Sequence, residues 1–118
     1  MVYNPNNAKE TPMLPVDTIL DGVIIDIRDG KVKNFVGNLD KWKNPEQAAI
    51  EITTEVKNED KTIQTRQVFT YVENNGVTEY PPKSNLGKFK EKYKKLPEAG
   101  DQVKIITNND GFGKIKLD

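Results

Sequence analysis

Trp42 stands between Lys41 and Lys43 in a polar stretch, shortly after Lys31, Lys33 and Phe35. An aromatic face stacks on flat heterocycles and an ammonium group tracks phosphate. Together these are the contacts of single-strand nucleic-acid binding, in which each stacked base contributes roughly 1–3 kcal/mol. Trp42 has a second reading, a plug folded back over one end of the core, and Phe35 has the same two readings. Further along, Lys61–Val72 is long, β-branched and aromatic, the composition of a strand. Ile63, Thr65, Gln67, Phe69 and Tyr71 share one of its faces, and Thr62, Gln64, Arg66, Val68, Thr70 and Val72 the other. Phe69 reads as core, with Tyr71 following it; a bulge between them would let Arg66 and Tyr71 both face a ligand. Phe112 follows the turn Asn108–Gly111. The candidate binding residues are therefore Lys31, Lys33, Phe35, Lys41, Trp42, Lys43, Arg66, Tyr71 and Phe112.

Other chemistries lack their side chains. The sequence has no Cys and no His, which removes thiolate nucleophiles, disulfides, zinc–thiolate sites and the usual proton-transfer group near neutral pH. Ser84 has no base in view for nucleophilic catalysis. The carboxylates Asp26, Asp29, Glu59, Asp60 and Asp110 show no EF-hand spacing and read as turn residues. Asp110–Gly113 is not a phosphate loop, because no helix follows it. No enzyme activity, cofactor or metal is expected.

Charge narrows the partners. Eighteen cationic residues balance eighteen anionic ones, so a wholly basic coating protein is excluded while a local basic face is not. Only Arg28 and Arg66 are arginines, which leaves little for bidentate reading of guanine edges. No stretch is apolar enough for a signal peptide or a membrane span, so a cytoplasmic location without membrane contact is expected.

The elements that must position these residues fit one domain of 118 residues. Residues 1–15, with Pro5, Pro12 and Pro15, read as an extended, mobile arm. Order is expected from Val16. Thr18–Arg28 alternates as a strand, with Gly22 marking a bulge or bend. Asp29–Gln47 reads as a long connection, in which Lys31–Val36 either returns as a short hairpin strand or stays loop. Ala48–Val56 alternates again, and Val77–Tyr80 could add a short strand. Ser84 is a plausible N-cap for an amphipathic helix with Leu86, Phe89, Tyr93 and Leu96 on one side, stopped by Pro97. Its lysine face, interrupted by Glu91, reads as solvated surface rather than a phosphate track. Asp101–Thr107 and Phe112–Leu117 supply the last strands.

This gives an all-β fold with one helix, five strands with the helix between the third and fourth. Gly22 in the first strand, the helix Leu86–Leu96 and Pro97–Asp101 before the fourth strand carry a resemblance to the oligonucleotide/oligosaccharide-binding (OB) barrel over residues 16–118. The chain looks most like small phage and archaeal proteins that bind single-stranded DNA in replication or repair. The resemblance implies a groove across the second and third strands, flanked by the loops after the first strand and between the fourth and fifth. It implies a sequence-tolerant binder of single-stranded nucleic acid, DNA or RNA. The alternative is a protein-interaction or structural barrel, a viral or accessory component that offers the same aromatic loop to a protein partner.

Overall fold

The computed structural model describes residues 3–8 and 13–118. The expected N-terminal arm falls partly outside these residues, at positions 1–2 and 9–12. Its described parts are an exposed 3-10 turn, Pro5–Asn7, and the stretch leading into the first strand.

Five strands form one antiparallel sheet. β1 (Ile19–Lys31) pairs on one side with β2 (Ala48–Asn58) and on the other with β6 (Gln102–Thr107). β2 also pairs with β3 (Lys61–Thr70), and β6 with β7 (Gly113–Ile115). The order is β3-β2-β1-β6-β7, and the two edge strands meet. The Ile115 N–H donates to the side-chain oxygen of Gln67 at 2.6 Å. A methyl group placed on Gly113 would sit 3.3 Å from Thr65 Cγ2. The result is a nearly closed five-stranded barrel, compatible with an OB-like topology.

Each strand turns one face inward because its side chains alternate with a period of two. Ile24, Ile52, Thr54, Val56, Phe69 and Ile105 are buried to 1% exposure or less. Burying each large apolar side chain contributes roughly 1.5–3 kcal/mol. The bulge in β1 lies at Ile25, where pairing with β2 shifts between Ile24 and Asp26, three residues beyond the glycine expected to mark it. Gly22 has a different reason for being glycine. A Cβ there would lie 2.9 Å from both Ile105 Cγ1 and Thr54 Cγ2.

Two segments differ from the sequence expectation. Lys31 ends β1, and Val32–Phe35 then makes one helical turn, α1, in place of a hairpin strand or an open loop, with Asn34 Oδ1 accepting the Lys31 N–H at 2.8 Å. The strand expected over Lys61–Val72 ends at Thr70, and Val72 instead opens a separate, exposed hairpin of β4 (Val72–Asn74) and β5 (Val77–Glu79), the latter being the short strand expected at Val77–Tyr80. The helix, α2 (Asn85–Tyr93), thus lies between the third and fourth barrel strands, but after this hairpin.

Ser84 caps α2, its Oγ accepting the Gly87 N–H at 3.2 Å. The helix stops at Lys94, which takes φ +66°, before Pro97 is reached. Leu86 and Phe89 are buried against the barrel. The Tyr93 hydroxyl donates to the Lys116 carbonyl at 2.8 Å and accepts the Lys104 N–H at 3.2 Å, tying α2 to β6 and to the segment after β7. Leu14, within the expected arm, is 4% exposed and belongs to the core; it packs where Gly113 has no side chain.

Candidate functional site

The outward faces of β1, β2 and β3 form one surface whose rows follow from register. Arg28 pairs with Glu51, which pairs with Val68; Asp26 pairs with Thr53, which pairs with Arg66; Val23 pairs with Glu55, which pairs with Gln64. β3 keeps unbroken register with β2 from Lys61 to Thr70, so no bulge rotates its side chains. Arg66 therefore faces outward, exposed, and Phe69 and Tyr71 face the core. Arg66 and Tyr71 are on opposite sides of the sheet.

Tyr71 is 8% exposed. Its hydroxyl donates to Asp29 Oδ1 at 2.6 Å, and its backbone N–H continues the β2 ladder to the Ala48 carbonyl at 3.0 Å. The Asp29 carboxylate, reinforced by burial, pushes the phenol pKa up to about 12. The ring offers no free face.

Phe112 is the opposite case, 72% exposed at the β6–β7 turn. Asn108 builds that turn, its Oδ1 accepting the N–H groups of Asp110 and Phe112 at 2.9 and 3.0 Å. Phe112 and Arg66 line one cleft of about 480 Å³, together with Met13 and Ile63. Met13 is itself exposed. An aromatic ring, a thioether and a guanidinium at the rim of an apolar cleft suit a flat, anionic ligand.

At the other end of the surface is the segment Val32–Gln47. Phe35 is half-buried against Gly30, where an added Cβ would approach its ring to 3.1 Å, and the Arg28 guanidinium lies 5.3 Å from the ring centroid. Arg28 also faces Glu51 at 3.7 Å. Trp42 is half-buried, and its backbone N–H donates to the Leu39 carbonyl at 3.0 Å. Lys41 and Lys43 flank it, both exposed. Lys31 and Lys33 each contact the Glu46 carboxylate, at 2.8 and 2.6 Å. These two ammonium groups hold its carboxyl down to about 2 from an ordinary value near 4.5.

The structure thus brings Arg66 and Phe112 together in one cleft, sets Phe35 beside Arg28 and joins Lys31 and Lys33 at Glu46, while Lys41, Trp42 and Lys43 lie in the segment between α1 and β2. Tyr71 is apart from Arg66 and Phe112 but lines a cleft of about 490 Å³ with Asp29, Lys31 and Glu46. Sequence reasoning missed Met13, Arg28 and Glu46. Met13 sat in a segment read as a mobile arm. Arg28 was visible only as one of two arginines, and Glu46 only as a lone acid beside a basic run. The surface between the two ends mixes Arg28 and Arg66 with Asp26, Glu51 and Glu55, so it is not basic overall.

Among the described residues no group of three or more acidic side chains is placed to hold a metal ion, and no helix is long and apolar enough to cross a membrane. Comparison with protein-family models, curated proteins and solved structures finds no match for this chain.

Proposed function

We propose that this barrel binds single-stranded nucleic acid, DNA in the first instance, with little regard to sequence. The observation that carries the reading is the exposed Phe112 ring sharing a cleft with Arg66 on the third barrel strand. A stacking platform beside a cation is what a base and its phosphate require. Trp42, Lys41 and Lys43, in the segment between α1 and β2, supply a second contact. With only two arginines, one of them facing Glu51, contacts to phosphate and base faces outweigh base-edge reading.

The test is a titration of fluorescent oligo(dT) with the protein at increasing salt. Binding should weaken steeply, with a logarithmic slope near −0.7 for each phosphate neutralised. Absence of binding at low salt would sink the proposal.

A second reading, docking of a protein partner, draws on the carboxylates Asp26, Glu51 and Glu55, which occupy the surface between the two aromatic ends. These would repel a phosphate backbone and suit a partner with basic side chains. Salt-insensitive association with a protein, without oligonucleotide affinity, would favour that reading.

A further inference from the structure

Lys31 Nζ and Lys33 Nζ converge on a single carboxylate, donating to Glu46 Oε2 and Oε1 at 2.8 and 2.6 Å. All three side chains are about half exposed, so the ion pairs themselves add little stability. The backbone does the positioning. Val32 N–H donates to the Gln47 carbonyl and Lys33 N–H to the Pro45 carbonyl, each at 3.0 Å, and Glu46 N–H donates to Asn44 Oδ1 at 3.0 Å. The backbone thus holds both lysine stems beside residue 46, and an anion between them draws the two ammonium groups together.

Two ammonium groups, one on each oxygen of a planar anion, make an arrangement that two non-bridging oxygens of a phosphodiester can also satisfy. We propose that Lys31 and Lys33 form a phosphate subsite which Glu46 occupies from within the chain, and that a phosphate of a bound strand exchanges with the Glu46 carboxylate. The proposal rests on the nucleic-acid reading and adds a regulatory contact to it. Glu46 stays ionised throughout the physiological range, so exchange with another anion, not protonation, releases the lysines. The contact lowers affinity for isolated anions and reserves the subsite for a ligand already held elsewhere on the barrel.

The experiment compares the full chain with Glu46→Gln, following the lysine ammonium signals by NMR as inorganic phosphate is added at low salt. Lys31 and Lys33 should respond saturably in Glu46→Gln and hardly at all in the parent, and adding Lys33→Met should abolish the response. Oligo(dT) should bind Glu46→Gln several-fold more tightly, with a salt slope steeper by about 0.7 for the one phosphate gained. Lysine signals that ignore phosphate in Glu46→Gln would overturn the subsite, even if both proteins bind oligo(dT) equally well and the broader reading stands. A phosphate response without oligo(dT) binding by either protein would support the subsite and remove the nucleic-acid reading.

Discussion

Gln67 Oε1 accepts the Ile115 N–H at 2.6 Å, so that a side chain of β3 supplies the acceptor across the line where β3 meets β7. Ile115 is 2% exposed, and water cannot readily replace the lost partner. Gln67→Met keeps the volume and deletes the acceptor. It should destabilise the barrel by about 1–3 kcal/mol, the cost of leaving a buried donor unsatisfied. Urea denaturation measures this; a loss below about 0.5 kcal/mol would show that the bond does not hold the seam.

Gly87 offers a test in which the sign is diagnostic. Replacing an interior helix glycine by alanine ordinarily stabilises by up to about 1 kcal/mol. Here an added Cβ would lie 2.4 Å from the carbonyl oxygens of both Pro81 and Pro82. Backbone cannot give way as a side chain end can, so Gly87→Ala should destabilise, at or above the upper end of the roughly 1–3 kcal/mol typical of overpacking. Gly22→Ala, which meets only side-chain carbons at 2.9 Å, should cost less. Thermal melts of the two variants side by side give the ranking.

Tyr71 makes a prediction in pH. Its folded pKa is raised to about 12 from an ordinary 10.0 because Asp29 binds the neutral phenol. The folded state therefore holds this proton more tightly than the unfolded chain. The contribution is fully present below pH 10.0 and is lost as pH rises through about 12. Tyr71→Phe should flatten the alkaline fall in stability. Ultraviolet titration should show a phenol ionising near pH 12, and its loss in the variant assigns it.

Phe112 and Trp42 should separate binding from folding. Phe112→Ala removes an exposed ring and should change folding stability by less than about 0.5 kcal/mol. Oligo(dT) affinity should nevertheless fall by about 1–3 kcal/mol, the contribution of one stacked base. Trp42 is half-buried. Trp42→Ala should therefore lower both stability and affinity, with a stability loss below the roughly 3–5 kcal/mol of a core aromatic truncation. Native Trp42 emission should lie between that of a buried and that of a solvated indole, and oligo(dT) should quench it. Unchanged affinity in Phe112→Ala would remove the cleft from the site.

The strands were legible because alternation is a local property. Ile50 and Ile52 against Glu51 and Thr53, or Phe69 against Val68, place the chain on one face without knowledge of its partners. Ser84 was legible as a cap for the same reason. The bulge was not, because Ile25 differs in no obvious way from its neighbours, while Gly22 resembles a bend and is in fact a packing requirement set by Ile105 on a distant strand. Leu14 shows the same limit: a proline-rich, aperiodic stretch conceals a residue that fills space beside Gly113. At the candidate site, residue types were visible but pairings were not. That Glu46 engages Lys31 and Lys33, or that Asp29 receives the Tyr71 hydroxyl, depends on chain segments meeting after the fold has formed.

The double pairing of β1 has a consequence for the order of assembly. β1, β2 and β3 are consecutive and pair in chain order, β1 with β2 across the segment 32–47 and β2 with β3 across a tight turn, but the other edge of β1 waits for β6. Thr18 N–H donates to Thr107 Oγ1 across 89 residues of chain, and Ile19 lies opposite Ile106. Closing so long a loop costs entropy before its contacts return anything, which slows folding in proteins rich in distant pairings. On a ribosome, the three-stranded meander emerges first and carries its unpaired edge, with Ile24 still uncovered, until β6 has left the exit tunnel. During that interval the nascent chain is a substrate for chaperones and for edge-to-edge self-association. The rate of synthesis through residues 71–107 thus sets how long that exposure lasts.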